Sequence, residues 1–495
     1  MPNRRSPPGH DPKAVAQLRA ALTAARFDAA HVAEALRAEG PNLTPSPAQV
    51  PALLRSLPAG DGLATLIRLF VAAVPVTVED GSQALAPLPL DVAAGLNLVT
   101  VAPETDLVHP AIRLVPAGPV LVACDITPDP SKVPADVVIG VSSTSWMLAR
   151  LTIRRPVEST VDIGTGCGIP AVLAASHAAH VTATDTNGRA LGFARFSAAL
   201  NQLDNIEFHQ GDLFEPVAGR RFDLVLANPP FVISPDDVYE YRDGGHVRDD
   251  LSRRVVEGAA ALLTSGGFAH TLVSWLHEPD GDWTDPPRRW TEGLGCDAWL
   301  FHFDSKDPED YAADWNQPLQ ADPDEHAAAI GRWLDYFDHH GIEAIGYGAV
   351  VLRRRAPGSG DPWIRGRSLG TTPVAPAGDQ VAGLFAAADY LERVGELHRL
   401  LDGRFLVDDA LRVEQVLRLR DGAFEVEQAL LHLERGLPMV AEMDAYAAHL
   451  MARLHRDGTL AGEFDEEDAA SAAHLRSVAA ELLGGLLELG FVHPA

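Results

Sequence analysis

The sequence is short of cysteine, of cations and of long apolar runs, and each shortage closes off a class of protein. Its three cysteines, Cys124, Cys167 and Cys296, lie far apart with no CxxC spacing, so neither a disulfide framework nor a zinc site is indicated. A reducing compartment, the cytoplasm, is expected. Lys and Arg number 40 against 68 Asp and Glu, a formal net charge of -28, which repels polyphosphate and anionic membrane alike. No stretch supplies the ~20 apolar residues that a bilayer span requires. The most apolar early run, Leu63 to Val78, is broken by Arg68 and Pro75 and reads as a packed helix. The basic start, Met1-Pro2-Asn3-Arg4-Arg5, leads into no uninterrupted apolar core, so residues 1–11 read as a flexible tail rather than a secretion signal.

What is present is ordinary for a globular chain, 46% apolar and 22% charged. At 495 residues it exceeds the roughly 250–300 that one core can serve, and three domains are expected. Residues 12–135 combine helical spacing (Val15, Leu18, Leu22; Val32, Leu36) with short β-rich runs at Leu98–Val101, Ile112–Val115 and Val120–Ala123, a winged-helix-like pattern. From 140 to 356 strands alternate with helices, which implies right-handed crossovers and a parallel sheet covered on both faces. Seven strands are read, at Thr160–Ile163, Val181–Thr184, Ile206–His209, Leu224–Ala227, Gly267–Val273, Ala298–Phe303 and Ala344–Leu352. The acidic segment Asp304 to Asp324 reads as an insertion before a helix at Glu325–His339, the Pro/Gly-rich residues 357–380 as a linker, and 381–495 as a mostly helical domain with one strand-like alternation at Leu411–Arg420. The run Glu463 to Asp468 reads as a solvated loop or helix start.

The strongest local signal is Asp162-Ile163-Gly164-Thr165-Gly166-Cys167-Gly168, a buried strand turning through glycines into a helix. Glycine permits positive φ and close approach of a ligand, and the helix start offers unpaired N–H donors. Alone, such a turn is shared with dehydrogenases or is merely structural. Asp185 ends the next strand, where a carboxylate can accept from ribose hydroxyls, and Gly211-Asp212-Leu213-Phe214 closes the third, where Asp212 could accept from an adenine amino group. The fourth strand delivers Asn228-Pro229-Pro230-Phe231. Two prolines end the strand in a rigid, carbonyl-presenting turn. The Asn228 oxygen and the Pro229 carbonyl can each accept from an –NH₂ group and aim its lone pair, while Phe231 stacks on a planar amide or base.

In this order and spacing the residues resemble the class I S-adenosylmethionine methyltransferases, and more narrowly the branch that methylates planar nitrogens: glutamine N5, guanine N2 and adenine N6 enzymes. The resemblance covers about residues 140–355. It implies a Rossmann-like α/β domain with S-adenosylmethionine as cofactor. Gly164, Gly166 and Gly168 would pass beside the methionine portion, Asp185 would hold ribose, and Asp212 would hold adenine with Phe214 alongside. Asp162 would support the loop or the methionine amino group, and Asn228, Pro229, Pro230 and Phe231 would hold the acceptor, Asn228 reaching the cofactor as well. Tyr241-Arg242-Asp243-Gly244-Gly245-His246 resembles the Gly-Gly segment of the glutamine N5 enzymes, and Ser142-Ser143-Thr144-Ser145 caps the helix that packs beside the cofactor, capping alone explaining its hydroxyls. The glutamine enzymes carry Tyr where this chain has Phe231, which brings it nearer the guanine enzymes.

Three readings remain open. One is an N-methyltransferase acting on a protein, peptide or small metabolite. A second is an RNA base methyltransferase, which needs a basic surface that only Arg242, Arg248, Arg253 and Arg254 could supply, and solvated helix charge explains them more simply. The third is a non-catalytic binding module, which predicts a damaged loop or turn, and neither is damaged. No metal is expected: His339 and His340, adjacent on a helix, point apart and lack a third ligand. Cys167, beside a helix start that could lower its pKa, is assigned no nucleophilic role.

Overall fold

In the computed structural model, which describes residues 6–38, 43–102, 104–127, 134–236, 238–242, 248–277, 281–370, 376–420, 422–464 and 469–495, the alternating pattern closes into a single sheet. Its strands are β1 (Val157–Ile163), β2 (Ala178–Asp185), β3 (Ile206–Gln210), β4 (Phe222–Ala227), β5 (Leu263–Leu276), β6 (Cys296–Lys306), β7 (Ile345–Arg354) and β8 (Ile364–Ser368). They lie in the order β8-β6-β7-β5-β4-β1-β2-β3. The run from β3 to β5 is parallel, β7 is antiparallel to both its neighbours, and β8 is parallel to β6. The central strands β1 and β4 bury nearly every residue of their second halves, as strands covered by helices on both faces must. Chain order reverses on either side of β1, and there the carboxyl ends of β1, β2 and β4 open a crevice.

The sheet has eight strands, not seven. The eighth comes from the segment read as a linker, because Ile364-Arg365-Gly366-Arg367-Ser368 lacks apolar alternation and sits among prolines and glycines. Ile364 packs against the core, and the residue before it is tied to a buried carboxylate. Asp297, wholly buried in β6, pairs with Arg353 at 2.6 Å and Arg355 at 3.1 Å and accepts from the Trp363 N–H at 3.2 Å, while the Ala298 N–H donates to the Trp363 carbonyl at 2.9 Å.

Helices α1 (Ser143–Leu151), α2 (Ile169–Ala174), α3 (Gly188–Leu200), α4 (Asp250–Ala261) and α5 (Asp285–Thr291) connect or flank these strands. The expected insertion is helical: α6 (Pro308–Asn316) precedes α7 (Pro323–His340). Each starts on an aspartate, Asp307 or Asp322, that accepts a backbone N–H of its first turn, with proline at the first helical position, where its missing N–H costs nothing. Tyr311, Trp333 and Phe337 pack from these helices onto Val232 and Ile233, just beyond the Pro-Pro turn.

The amino-terminal residues form helices from Pro12–Ala24 to Leu90–Gly95, a three-stranded antiparallel sheet (Val76–Thr77, Val99–Ala102, Leu107–Pro110) and a hairpin, Arg113–Ala117 with Val120–Cys124. The run around Arg68 is helical and buried, as expected. These elements share one core with Phe193, Phe196 and Leu200 of α3, so Met1–Ala149 and Arg155–Ser368 constitute one compact unit instead of two. Within the expected tail, Pro8 is buried and the Gly9 N–H donates to the Leu96 carbonyl at 2.9 Å.

The second unit is Arg150–Arg154 with Leu369–Ala495. It contains the helices Gly378–Val394, Ala445–Asp457 and Ala469–Glu488, with Phe405–Val407 pairing Val492–Pro494. The alternation at Leu411–Arg420 is a strand, and its unread partner, Ala423–Leu433, completes a long hairpin. Cross-strand pairs Leu417↔Val426 and Leu419↔Phe424 stand exposed on one face of it. The acidic run's residues 465–468 lie outside the described residues. Among those described, no helix is long and apolar enough to cross a membrane.

Removing a buried carboxylate strands two guanidinium groups. Asp297→Ala should therefore lower unfolding stability by about 3–5 kcal/mol, measured by urea denaturation, whereas a loss near zero would mean that solvent, not Asp297, neutralises Arg353 and Arg355.

Candidate active site

Strand register brings the sequence-predicted residues together. Asp162 of β1 lies between Ala183 of β2 and Leu226 of β4, and Ile163 lies between Thr184 and Ala227, so the three loops that follow leave the sheet side by side. Gly164, Gly166 and Gly168 all have positive φ, 70°, 57° and 93°, the conformation glycine adopts without strain. A Cβ at Gly164 or Gly166 would meet nothing within 4 Å, and both line the cavity described below. Gly168 does not face it. It precedes α2 and lies against α3, where a Cβ would come within 3.0 Å of the Ala194 Cβ, so its role is helix packing.

Asp162 also turns away from the cavity. It is fully buried, accepting from the Thr165 hydroxyl at 2.6 Å and the Ala171 N–H at 3.1 Å through one oxygen. The other oxygen has no hydrogen-bond partner. Of the two roles expected for it, loop support is the one this geometry performs. Burial pushes its carboxyl up to about 7, against the opposing pull of those two bonds. Asp185 lines the cavity, accepting from the Gly166 N–H at 2.8 Å and the Asn187 N–H at 2.9 Å. Burial raises its pKa too, partly offset by these N–H donors. Asp212 lines the cavity from an exposed position. Phe214 does not; it packs into the core against Gly258 of α4.

One wall of the cavity is the segment 137–140, held by a bidentate Arg189–Asp125 pair at 2.8 and 3.0 Å and by Asp125 accepting from the Val138 N–H at 2.8 Å. The opposite wall is Asn228-Pro229-Pro230-Phe231. The Pro229 carbonyl accepts from the Phe231 N–H at 2.8 Å, which keeps the turn tight and leaves one lone pair for another donor. Phe231 is propped by Tyr347, ring centroids 5.4 Å apart. The Asn228 amide nitrogen donates to the Thr144 hydroxyl at 3.2 Å, a contact that capping logic did not foresee. Thr144 is thus a site residue hidden in sequence behind an ordinary helix start.

Beyond the turn the helical insertion roofs the site. The Tyr311 hydroxyl accepts from the Ile233 N–H at 3.1 Å, and the Trp333 indole donates to Asp236 at 2.7 Å. Arg242 is buried, its guanidinium over the rings of Tyr239 and Trp333 and donating to the Trp315 carbonyl. It is no solvated helix charge. Arg253 is paired with Asp250 and Glu257, and Arg248 and Arg254 are exposed, so these four side chains form no continuous basic surface. Of the Gly-Gly segment, Tyr241 and Arg242 line the cavity, and Asp243, Gly244, Gly245 and His246 lie outside the described residues. The cavity has a volume of about 630 Å³, the size range of sites for cofactor-sized ligands. Cys167 also lines it, but burial drives its thiol up to about 12, contrary to the lowering that a helix start could have produced, so it stays protonated.

Residues 141–275 match the family described as methyltransferase small domain. Fold, loop and match make this part of the chain similar to the class I S-adenosylmethionine-dependent methyltransferases. Within that class it is similar to the protein glutamine methyltransferase branch. The release factor glutamine methyltransferase of Xylella fastidiosa is 35% identical over 127 residues, 23% of this chain and 46% of that protein. The ribosomal protein uL3 glutamine methyltransferase of Bradyrhizobium diazoefficiens is 36% identical over 124 residues, 22% of this chain and 39% of that one. A ribosomal RNA small subunit methyltransferase C of Erwinia tasmaniensis is 30% identical over 109 residues, covering 22% and 28%. The chain spans less than half the length of each of these curated relatives.

The two kinds of glycine in the loop are separable. Gly168→Ala should add about 1–3 kcal/mol of overpacking to the about 1–2 kcal/mol that left-handed φ costs an L side chain. Gly166→Ala should show the second cost alone and place its methyl in the cavity. Thermal unfolding of the two variants checks this, and equal losses would contradict the packing role of Gly168.

Proposed function

We propose that the chain transfers a methyl group from S-adenosylmethionine to a planar nitrogen, and that the acceptor is an amide nitrogen of a protein. The observation that carries this reading is the convergence, in one cavity, of the open Gly164 and Gly166, the carboxylates of Asp185 and Asp212, and the Asn228-Pro229-Pro230-Phe231 turn. The residues suit the cofactor: two glycines leave room beside the backbone, and acidic side chains can accept from hydroxyl and amino groups and attract a cation. When bound, the cofactor supplies a methyl group already activated by its sulfonium. With the cofactor held by these residues, the acceptor nitrogen would take the methyl group as the S–C electron pair returned to sulfur, and its spare proton would pass to water. The chain's task is alignment. The Asn228 oxygen and the free lone pair of the Pro229 carbonyl accept the acceptor's N–H bonds, and Phe231, steadied by Tyr347, supports its plane.

A protein acceptor agrees with the names of the relatives that methylate glutamine. RNA is less suited to a chain of net charge -28 whose Arg242 is buried and Arg253 already paired. A cytoplasmic setting agrees with Cys124, Cys167 and Cys296 being buried and free. Incubation with cofactor labelled in its methyl group should place label in the protein fraction of a cell lysate, and label in RNA instead would overturn the acceptor assignment.

Binding should release protons. A cation entering beside the raised Asp185 carboxyl favours its ionised form, so the complex holds fewer protons than the free chain and affinity rises with pH. The window lies above the ordinary carboxylate range, where the raised Asp185 still holds its proton in the free chain. Calorimetry in buffers of different ionisation enthalpy measures the release; no binding, or binding undiminished in Asp185→Ala/Asp212→Ala, would defeat the cofactor site. Asn228→Ala should cut turnover about 10-fold or more while cofactor affinity changes little, and equal loss of both would argue against an acceptor role.

A further inference from the structure

An amide side chain has two ends of similar size and opposite hydrogen-bonding character, and only the oxygen of Asn228 can accept from an incoming N–H. Something must hold the amide the useful way round. We infer that Thr144 is the positioning residue that does so, through a directed chain of hydroxyls at the start of α1. This rests on the methyl-transfer reading of the turn.

The chain of hydroxyls starts at Ser142. Its oxygen accepts from the Ser145 N–H at 3.0 Å and lies 3.0 Å from the Thr144 hydroxyl and 2.7 Å from the Ser145 hydroxyl. Two arrangements fill both its lone pairs and use its one proton; the one that leaves Thr144 purely an acceptor, as the Asn228 amide nitrogen facing it requires, has the Ser145 N–H and the Thr144 hydroxyl donating to Ser142, and the Ser142 hydroxyl donating to Ser145. Thr144 has then spent its proton. It can only accept from Asn228, which lies 3.2 Å away through its amide nitrogen. The Asn228 oxygen is thereby left for the cavity that both residues line. Reversal of the amide would set a carbonyl oxygen against lone pairs on Thr144 and present N–H groups to the acceptor's own N–H groups. A helix cap, needed in any case to satisfy α1, here doubles as the device that orients the acceptor-binding side chain.

Thr144→Val keeps the shape and removes the hydroxyl; Thr144→Ser keeps the hydroxyl. With S-adenosylmethionine labelled in its methyl group and the protein fraction of a lysate from cells lacking the chain, Thr144→Val should lower the initial rate of transfer about 10-fold, roughly the worth of one oriented hydrogen bond. Thr144→Ser should restore it, and calorimetry should show unchanged cofactor affinity in both. In an Asn228→Ala background Thr144→Val should cost nothing further. Separately from turnover, the Asn228 side-chain NH₂ resonance of the full chain, identified by its loss in Asn228→Ala, should shift in Thr144→Val and stay in place in Thr144→Ser. Full activity of Thr144→Val, additive losses in the double variant, a fall in cofactor affinity matching the fall in rate, or an unmoved Asn228 resonance would each overturn the inference. A wild-type chain that transfers no label would instead overturn the methyl-transfer reading, and that result is distinguishable because the resonance shift is read without turnover.

Discussion

A carboxyl group with no access to water holds the end of the first strand to the start of the helix that follows it. Asp162 accepts from the Thr165 hydroxyl and the Ala171 N–H, and with that span closed the glycines between have no freedom except the left-handed turns they adopt. The cavity floor follows from this, because the Gly166 N–H is then delivered to Asp185 at the end of the neighbouring strand. One oxygen of Asp162 is left without a partner, a cost tolerated because the carboxyl is raised to about 7 and is partly protonated near neutrality. Ionisation would therefore weaken the fold as pH rises from the ordinary carboxylate range through about 7: the unfolded chain gives up this proton more readily than the folded one.

The site rests on two unequal supports. On the cofactor side the backbone does the work, through glycines and strand ends whose positions are fixed by the ladder. On the acceptor side, side chains do it. Phe231 leans on Tyr347, the chain beyond it is tied to Tyr311 and packed under Trp333, and Asn228 is bonded to Thr144. This division suits a scaffold in which one ligand is common to a class and the other is particular to the chain.

The sheet and the crevice were legible in sequence because parallel strands announce themselves by apolar runs and the loops between them by glycine, aspartate and proline. Gly164, Gly166, Asp185, Asp212 and Asn228 line the cavity. Gly168 and Phe214 instead pack against α3 and α4, since spacing gives the order of residues but not the side on which a neighbouring helix passes. The eighth strand has no apolar alternation to announce it: pairing with β6 and the bond from the Trp363 N–H to buried Asp297 hold it. Local pattern alone separates the amino-terminal elements from the sheet: their core includes Phe193 and Phe196, which stand far along the chain and belong by pattern to the sheet's own helix.

The long hairpin of the second unit carries a different consequence. Val413, Leu417, Leu419, Phe424 and Val426 are all exposed, and Leu411–Arg420 forms the outer edge of its sheet, with unpaired backbone groups available to another strand. Ion pairs such as Arg418–Glu427 sit beside this stripe, and the surplus of negative charge on the whole chain repels one copy from another. That repulsion is screened within about 10 Å at 0.1 M salt. Concentrated stocks of the protein are thus colloidally safest in dilute buffer above the isoelectric point, and salting the solution brings the apolar stripes within reach of one another.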